Sequence, residues 1–427
     1  MTAQQGTAVG EGTAPGTGAT PTLADFESAA QVVHRVARNT PLESSRFLAE
    51  QLGVSKVYLK CENLQRTGAY KLRGAYNRLS QLTPEEKALG VVAASAGNHA
   101  QGVAYAAREL GIKATIFMPL GVALPKLQAT RRYGADVMLE GAGFDDTLAA
   151  ARAFVEQTGA IFIPPFDHES IILGQGTVAL EMLDAAPDIE TIVVAIGGGG
   201  LASGVAAAAK LHAERDGRTV RVIGVQSENT ASFPPSLAAG EPTTIQTRPT
   251  IADGIAVARP GDLTFERVRD NVDEIVTVSD DDIARAIVVL LERTKMVVEP
   301  AGAAGVAAML AGKIDSSGPT ATILSGGNID PLLLQRVIGH GLAASSRYLK
   351  LRILLPDVPG QLVRTASIVA SKNANVIEVI HTRHATELPI SDVELELHVE
   401  TRGVEHGQEV VRALRDAGYV VRVGERY

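Results

Sequence analysis

Short apolar segments alternate with amphipathic segments along most of this chain, from Lys56 to about Ala344. The short segments are predicted strands at residues 57–60, 91–95, 114–118, 136–139, 161–164, 191–196, 221–226 and 321–324. Strands that alternate with helices pair in parallel and are covered by helices on both faces. The pattern therefore predicts a doubly wound parallel-sheet α/β body.

Residue types also predict where two of the helices begin and end. Pro125 suits the first turn of a helix, where its missing N–H removes no hydrogen bond. Asp145 or Asp146 is predicted to cap the next helix, and Gly159 is predicted to end it.

The pattern changes near Arg347. Strand-like alternation and helical periodicity then follow in the order strand 349–355, helix 361–372, strands 376–381 and 393–399, helix 408–417 and strand 420–423. This βαββαβ order is that of the split ferredoxin-like unit. We therefore predict a separate small domain at residues 347–427, after a body at 26–344.

Residues 1–25 form a segment of different composition, rich in glycine, threonine, alanine and proline. It lacks the basic start and apolar centre of a signal peptide. Too few apolar side chains are present to offset the entropy lost on ordering the segment. We predict a disordered leader.

Composition restricts the partners of the chain. Its 427 residues include 40 basic and 48 acidic side chains, and the net charge of -8 gives no general attraction to nucleic acid or anionic membranes. Residues 191–209 carry no charge, but the glycines within them favour a strand and a helix over a membrane span. The single cysteine, Cys61, fits a reducing compartment. We expect a cytoplasmic protein with neither a nucleic-acid nor a membrane partner.

The first motif surrounds a lysine. Residues 60–75 read KCENLQRTGAYKLRGA, with Lys71 near a predicted helix start. A lysine amine forms a Schiff base with an aldehyde cofactor and, once displaced by an amino acid, can act as a base at the α-carbon. Taken alone, Lys71 would more often be a solvated lysine at a helix start, and the surrounding motif reverses that preference.

A second motif lies where the predicted strand 91–95 enters a helix, and it consists of Ser95, Ala96, Gly97, Asn98 and His99. Free backbone N–H groups at a helix start bind anions, so a substrate carboxylate can lodge here. The alternative for Asn98 is a purely structural role as the cap of the helix.

A third motif is a run of four glycines, Gly197, Gly198, Gly199 and Gly200, between a strand and an alanine-rich helix. Glycines let backbone N–H groups surround a phosphate without obstruction by side chains. The spacing does not match the dinucleotide-binding pattern, and Gln226 stands where that pattern has an acidic residue. Tight packing of strand on helix is the alternative.

The fourth motif, LSGGN at residues 324–328, follows the last predicted strand of the body and contains Ser325. Glu299 lies in a separate segment, VEPAG, at a predicted helix start. Without further context, Ser325 would be a turn serine and Glu299 a helix-start carboxylate.

In this order, the four motifs resemble those of the fold-type-II pyridoxal-phosphate enzymes, especially the threonine dehydratases (threonine ammonia-lyases). The resemblance extends from about Phe26 to the end of the chain. It implies a tryptophan-synthase-β-like body of two lobes, the smaller one inserted at roughly residues 75–170. It also implies pyridoxal 5'-phosphate as cofactor and a small amino acid as substrate.

The resemblance assigns roles to single residues. The lysine that matches Lys71 holds the cofactor covalently, and the residue that matches Tyr70 packs on one face of the cofactor ring. Many relatives have phenylalanine at the position of Tyr70. The glycine run, together with Leu201, is expected to bind the cofactor phosphate.

Three further roles follow from the same resemblance. Asn98 is expected to hydrogen-bond the ring hydroxyl of the cofactor, Ser325 to face the ring nitrogen, and Glu299 to lie near the cofactor. Residues 95–99 are expected to bind the substrate carboxylate.

Two positions separate this chain from some relatives. In the related serine racemases, a serine at the position of Ala96 acts as acid and base on the face opposite the lysine. Ala96 has no exchangeable proton, which favours elimination over racemisation. Some relatives bind a divalent cation through a glutamate that matches Gln226. Since an amide is a poorer ligand for a hard cation, we expect no tight Mg²⁺ site, and a site for a monovalent ion is left open. We expect Cys61 to be a buried apolar residue.

The tail resembles the ACT family of amino-acid-binding regulatory domains. Its turn contains Pro359, Gly360, Gln361 and Leu362, which match the loop where an effector binds in that family. Asn375 is a further candidate for effector binding.

These observations predict conversion of L-threonine to 2-oxobutanoate and ammonia, with serine as a slower substrate that gives pyruvate. The tail is predicted to bind isoleucine or valine, and the chain to form a homotetramer or homodimer, as relatives commonly do. A serine dehydratase or β-replacement enzyme of the same fold, or a non-catalytic amino-acid sensor, are the alternatives.

Overall fold

The computed structural model describes residues 20–344, 347–383 and 391–424, with only the backbone at residues 343 and 344. Residues 1–19 of the predicted leader lie outside the described residues. Helix α1 (Leu23–Val33) begins within the last part of that segment. The Asp25 carboxylate accepts a hydrogen bond of 2.8 Å from the Thr22 backbone N–H and stabilises the helix start. Regular structure thus begins slightly before the predicted boundary at residue 26.

The body contains strands and helices in alternation. Its strands are β1 (Leu42–Ser44), β2 (Val57–Lys60), β3 (Val91–Ala94), β4 (Ala114–Met118), β5 (Asp136–Leu139), β6 (Ile161–Phe162), β7 (Thr191–Ala195), β8 (Arg221–Ser227), β9 (Glu274–Val278) and β10 (Thr320–Ile323). Its helices after α1 are α2 (Arg46–Leu52), α3 (Lys71–Ser80), α4 (Pro84–Leu89), α5 (Asn98–Leu110), α6 (Leu124–Arg132), α7 (Phe144–Thr158), α8 (Glu169–Ala185), α9 (Gly200–Arg215), α10 (Phe233–Ala239), α11 (Asp262–Asn271), α12 (Asp280–Val289), α13 (Pro300–Leu310) and α14 (Pro331–Ala344). A π-helical turn (Leu290–Thr294) follows α12 directly.

The body has two sheets. The larger has the strand order β1-β2-β10-β7-β8-β9 and is parallel except for β1, and the smaller has the order β5-β4-β3-β6 and is parallel throughout. Strands β3, β4, β7 and β10 are buried along their whole length. Such burial is expected of parallel strands covered by helices on both faces. The predicted two-lobed, doubly wound fold is confirmed.

Each of the eight predicted strands forms, with ends shifted by no more than two residues. Strands β1 and β9 were missed, because both lie at edges of the larger sheet and leave most of their residues partly exposed. Such strands lack the apolar run that identifies a buried strand.

The ends of α7 agree only in part with the prediction. Gly159 ends the helix in a left-handed conformation with φ 73°, as predicted. The predicted cap at Asp145 or Asp146 is wrong, because Gly143 occupies the capping position and both aspartates lie in the first turn. There they interact favourably with the helix dipole instead.

The tail has the predicted order βαββαβ. Its elements are β11 (Tyr348–Pro356), α15 (Gln361–Ser371), β12 (Asn375–Thr382), β13 (Asp392–Glu400), α16 (Val404–Asp416) and β14 (Val420–Val423). The strands form an antiparallel sheet of order β12-β13-β11-β14, and residues 384–390 lie outside the described residues. One face of this sheet is buried beneath the two helices. This arrangement is ferredoxin-like.

Parallel pairing brings the four motifs to one edge of each sheet. Each motif follows the carboxyl end of a parallel strand, namely β2, β3, β7 or β10. In open α/β sheets, ligands bind in the crevice outside these strand ends. Among the described residues, no helix combines the length and apolar character needed to cross a bilayer.

Candidate active site

Lys71 is the first residue of α3, and the loop after β10 holds the chain just before it. The Tyr70 backbone N–H donates to the Ser325 carbonyl oxygen at 3.1 Å, and Ala69 forms an antiparallel bridge with Gly326. The first and fourth motifs therefore contact each other directly, although 254 positions separate Lys71 from Ser325 (325 minus 71).

The Lys71 amine points into the protein. Its Nζ donates a hydrogen bond of 2.8 Å to the Pro165 carbonyl oxygen and lies 5.4 Å from the centre of the Tyr70 ring. Burial lowers the pKa of Lys71 to about 8, although the nearby Glu299 acts in the opposite direction. A neutral amine, the form that attacks an aldehyde, is thus accessible near physiological pH. The interpretation of Lys71 as a solvated helix-start residue is wrong. Burial also raises the pKa of the Tyr70 hydroxyl.

The four glycines form a tight loop between β7 and α9. Gly199 occupies the capping position of α9 with φ 100°, a backbone conformation that residues other than glycine rarely adopt. A Cβ at Gly200 would lie 2.8 Å from the Phe166 Cβ, and one at Gly198 would overlap the Phe166 ring. Close packing thus requires glycine here, but the packing is against Phe166 in the segment between β6 and α8 rather than between strand and helix, and it does not account for the hydrogen-bond donors of the loop.

Those donors are free for a ligand. Within the described residues, the backbone N–H groups of Gly197, Gly198 and Gly199 donate no hydrogen bond to protein. The loop is held from its other side, since the Thr264 hydroxyl donates to the Gly198 carbonyl oxygen at 2.6 Å. Leu201 is buried in the first turn of α9. Unpaired N–H groups at a helix start fit a phosphate, so the loop meets the requirements of the cofactor implied by the sequence.

Lys71 and the glycine loop both contact the dipeptide formed by Pro165 and Phe166. The Pro165 carbonyl accepts the Lys71 hydrogen bond, and the next residue, Phe166, packs against Gly198 and Gly200. The amine and the loop therefore contact neighbouring residues of the same short segment, as the binding of one cofactor by both requires.

The second motif joins β3 to α5. The Gly97 N–H donates to the Ser95 hydroxyl oxygen at 3.2 Å, and Gly97 occupies the capping position of α5. His99 is buried with its Nε2 2.9 Å from the Ile163 carbonyl oxygen. Burial and then the Lys71 charge lower the pKa of His99 to about 3, so this residue is neutral near pH 7. Ala96 lies in the same turn and offers no exchangeable proton.

Asn98 connects the second motif to two other elements. Its Nδ2 donates to the Glu299 carboxylate at 2.6 Å, and its Oδ1 accepts from Asn328 Nδ2 at 2.8 Å. The alternative that Asn98 caps α5 is wrong, because Gly97 is the capping residue and the Asn98 side chain points elsewhere. Asn328 belongs to the fourth motif, but the sequence alone assigned it no role.

Glu299 is buried at the start of α13 and makes no capping hydrogen bond. Burial, followed by the charge of Asp253, raises the pKa of its carboxyl group to about 7. Ser325 is also buried, and its hydroxyl makes no hydrogen bond with any described residue. The Ser325 hydroxyl thus remains available for a ligand, whereas one oxygen of the Glu299 carboxylate is already bonded to Asn98.

A network of buried charged side chains stabilises α3, and it was not predicted from the sequence. Arg73 is fully buried and forms ion pairs of 2.8 Å with Glu62 and 2.7 Å with Glu181. Lys60 donates to the same Glu181 carboxylate at 2.6 Å, and the Thr40 hydroxyl donates to Glu62 at 2.5 Å. Burial opposes the charge of Arg73, but Glu62 and Glu181 together raise its pKa above the ordinary value. Because Arg73 follows Lys71 by two residues, the network fixes the start of α3.

Two residues considered for other chemistry have ordinary surroundings. Gln226 is buried, and its side-chain oxygen accepts a hydrogen bond of 3.0 Å from the Phe233 N–H. In the part of the chain that the structure describes, no group of three or more His, Cys, Asp or Glu side chains is arranged to hold a metal ion. Cys61 is buried in the core as predicted, and burial raises the pKa of its thiol to about 12.

The predicted effector residues lie at the surface of the tail. Pro359, Gly360, Gln361 and Leu362 form the turn between β11 and α15, and Gly360 caps α15 with φ 94°. The Gln361 side-chain oxygen accepts a hydrogen bond of 3.0 Å from the Tyr419 hydroxyl. Asn375 is the first residue of β12.

Comparison with known proteins identifies similar chains. The family model described as "Pyridoxal-phosphate dependent enzyme" matches residues 33–326. The L-threonine ammonia-lyase of Thermotoga maritima is 48% identical over 404 residues, which cover 94% of this chain and 99% of that protein. The processed form of threonine deaminase isoform 2 from Solanum lycopersicum has a TM-score of 0.70 at 38% identity and covers 74% of this chain and 93% of its own. Maize serine racemase has a TM-score of 0.70 at 36% identity and covers 75% of this chain and 98% of its own.

We predict that Arg73→Met lowers the free energy of unfolding by about 3–5 kcal/mol, because Glu62 and Glu181 would stay buried without their main partner. Urea denaturation measures the change. Arg108→Met is the control, since the Arg108 pair with Glu109 is exposed and should contribute less than about 1 kcal/mol. Equal stability of the two variants would contradict a supporting role for the network.

Proposed function

The chain belongs to the pyridoxal-phosphate dependent enzymes, and on that premise we propose that it converts L-threonine to 2-oxobutanoate and ammonia, with L-serine as a slower substrate. The observation that carries the proposal is a partly buried lysine amine with a lowered pKa beside a glycine loop whose N–H groups are free. The similarity to an L-threonine ammonia-lyase over 94% of the chain supports threonine as substrate.

The cofactor would be held by the residues that surround Lys71. The N–H groups of the glycine loop would bind its phosphate, and the Tyr70 ring would contact one face of its ring. The free Ser325 hydroxyl would face the ring nitrogen. Asn98, which keeps one side-chain N–H beyond its bond to Glu299, would bind the ring hydroxyl.

When bound, pyridoxal phosphate supplies an electron sink that is joined to the substrate nitrogen. The residues of the chain orient the substrate and transfer the proton. The loop from Ser95 to His99 orients the substrate by its carboxylate, and the Lys71 amine removes the α-proton. The β-hydroxyl then leaves as water, and hydrolysis of the released enamine gives the oxo acid and ammonia. Elimination needs an acid or base on one face only, so Ala96 favours it over the racemisation catalysed by the similar serine racemase.

The tail supports a proposal about regulation. We infer that residues 347–427 form an ACT-like domain that binds isoleucine or valine at the turn of Pro359, Gly360, Gln361 and Leu362, with Asn375 nearby. Gly360 leaves the backbone open to a ligand, and the first N–H groups of α15 can donate hydrogen bonds to its carboxylate.

A contact between tail and body gives such binding a route to the active site. Arg347, at the start of the tail, forms an ion pair with Glu292 in the π-helical turn after α12. Lys295 follows this turn in the left-handed region with φ 61°, and its Nζ donates to the Glu292 carbonyl oxygen at 2.6 Å. The segment then runs directly into Glu299. Strained or π-helical segments often lie at sites that respond to ligands.

Feedback by isoleucine would place the enzyme at the committed step of isoleucine synthesis. A cytoplasmic location, which the single cysteine favours, and a homotetrameric or homodimeric state, which the family resemblance implies, belong to the same proposal.

We predict that Lys71→Ala lowers the turnover of threonine by about a thousandfold or more, because the variant loses both the covalent anchor and the base. The measurement is release of 2-oxobutanoate. Lys113→Ala is the control, since Lys113 forms an exposed pair with Asp136. Lys71→Ala turnover within tenfold of the wild-type rate would refute the mechanism. In the wild type, a higher kcat/KM for serine or O-acetylserine than for threonine would favour the alternative enzymes.

We predict that Gly198→Ala weakens the binding of pyridoxal phosphate about tenfold, equivalent to about 1.4 kcal/mol, because the new methyl group displaces Phe166 and the loop. Titration of the apoenzyme measures the affinity. Gly121→Ala is the matched control, because a Cβ there meets no atom within 4 Å. If both variants bind the cofactor as the wild type does, the glycine loop is not the phosphate site.

We predict that isoleucine lowers threonine turnover in the full chain and has no effect after deletion of residues 347–427. Arg347→Ala keeps the tail but breaks its contact with Glu292, so more isoleucine should be needed for half-maximal inhibition. Arg352→Ala is the control, because Arg352 pairs with Glu396 inside the tail. Equal inhibition of the full and the truncated chain would show that the tail is not the regulatory domain.

A further inference from the structure

A lysine that belongs to none of the four motifs lies beside the candidate active site. Lys126 stands in the first turn of α6, which packs on α5 in the lobe of the smaller sheet. Its Nζ forms an ion pair of 2.8 Å with Asp253, which follows β8 in the lobe of the larger sheet. The pair therefore spans the two lobes. The Lys126 side chain is 16% exposed and that of Asp253 is 58% exposed, so the lysine is the more buried partner.

The ammonium group lies at the start of α5. An ideal Cβ built on Gly97 would be 3.6 Å from Lys126 Nζ, and the next nearest atoms are also those of the Lys126 side chain. Gly97 is the capping residue of α5, where the free N–H groups of the helix begin. A larger residue at position 97 would separate the ammonium from these N–H groups.

The Lys126–Asp253 pair also lies close to Glu299 in the candidate active site. Of the charges that act on the Glu299 carboxyl group, Asp253 raises its pKa and Lys126 lowers it, while Lys71 lowers it further. A Cβ on Gly254, next to Asp253, would lie 3.9 Å from the Glu299 carboxylate. Lys126 and Lys71 thus both lie close enough to Glu299 for their charges to act on it.

The ion pair between Lys126 and Asp253 can separate when another anion binds Lys126. Because the aspartate side chain is more than half exposed, water can solvate it when the pair separates. An anion held by the N–H groups at the start of α5 would meet an ammonium already in place. Helix N–H groups and an ammonium together provide both orientation and charge for a carboxylate.

We propose that Lys126 binds the carboxylate of the amino-acid substrate together with the loop from Ser95 to His99, and that it exchanges Asp253 for this carboxylate when the substrate enters. The inference rests on the proposed function, because it adds a substrate-binding residue to that site. It also explains how the two lobes contribute jointly to recognition of the carboxylate: α5 and α6 provide the donors, and Asp253 holds the ammonium ready.

The test uses the holoenzyme and L-2-aminobutyrate, an amino acid that lacks the β-hydroxyl and therefore cannot undergo the elimination. Isothermal titration calorimetry should show that Lys126→Gln binds L-2-aminobutyrate at least tenfold more weakly than the wild type. The affinity for L-2-aminobutyramide, which has no carboxylate charge, should stay within twofold. Lys126→Arg should recover most of the affinity for the acid, and Asp253→Asn should tighten it, because the competing carboxylate is gone.

Threonine kinetics provide a second readout. Lys126→Gln should raise KM at least tenfold and leave kcat within about threefold, since the lysine contributes to binding rather than to proton transfer. Lys113→Gln, in an exposed pair of the same lobe, should change neither constant.

Equal affinities of the wild type and Lys126→Gln for L-2-aminobutyrate would overturn the proposal, and so would an equal loss for the acid and the amide. These outcomes leave the proposed function intact if the wild type still releases 2-oxobutanoate from threonine. A wild-type enzyme that neither binds L-2-aminobutyrate nor turns over threonine would overturn both.

Discussion

The burial of the Lys71 amine is the constraint on which the rest of this site depends. An ammonium ion is costly in an apolar environment, so burial lowers the pKa of the amine to about 8 and makes its neutral form more accessible, while the Pro165 carbonyl accepts its hydrogen bond. Because Phe166 follows directly and packs into the glycine loop, the position of the amine and that of the loop are fixed by the same two residues.

The fold explains how residues far apart in sequence reach this place. Parallel strands of both sheets end at the crevice, and each end delivers one motif. The ion-pair network of Arg73 fixes the position of α3. The Asn98 amide connects the two lobes through its hydrogen bonds with Glu299 and Asn328. The reactive groups are thus held by buried polar contacts, which are strong in a low-dielectric interior and costly to break.

Much of this was predictable from the sequence. Buried parallel strands are apolar runs, so eight of them could be located, and the motifs at their ends indicated the lysine, the glycine loop and Asn98. The resemblance to a family supplied the cofactor. Edge strands β1 and β9 escaped prediction because exposed strands have no distinct pattern. The capping of α7 was misjudged because glycine and aspartate compete at helix starts.

The ion pairs between residues far apart in the sequence could not be predicted, for a different reason. Nothing in the local sequence of Arg73 indicates that Glu62 and Glu181 will surround it, and the pairing of Lys126 with Asp253 joins two lobes. Such contacts depend on how sheets and helices pack, which spacing along one chain does not reveal. The sequence therefore indicated which groups react, whereas the structure adds what holds them.

The most direct measurement of the central claim is a crystal structure of the protein with pyridoxal phosphate bound. The account predicts a covalent bond between Lys71 Nζ and the cofactor, with the phosphate within hydrogen-bonding distance of the N–H groups of Gly198 and Gly199. A cofactor attached to a different lysine, or a phosphate bound away from the glycine loop, would contradict it.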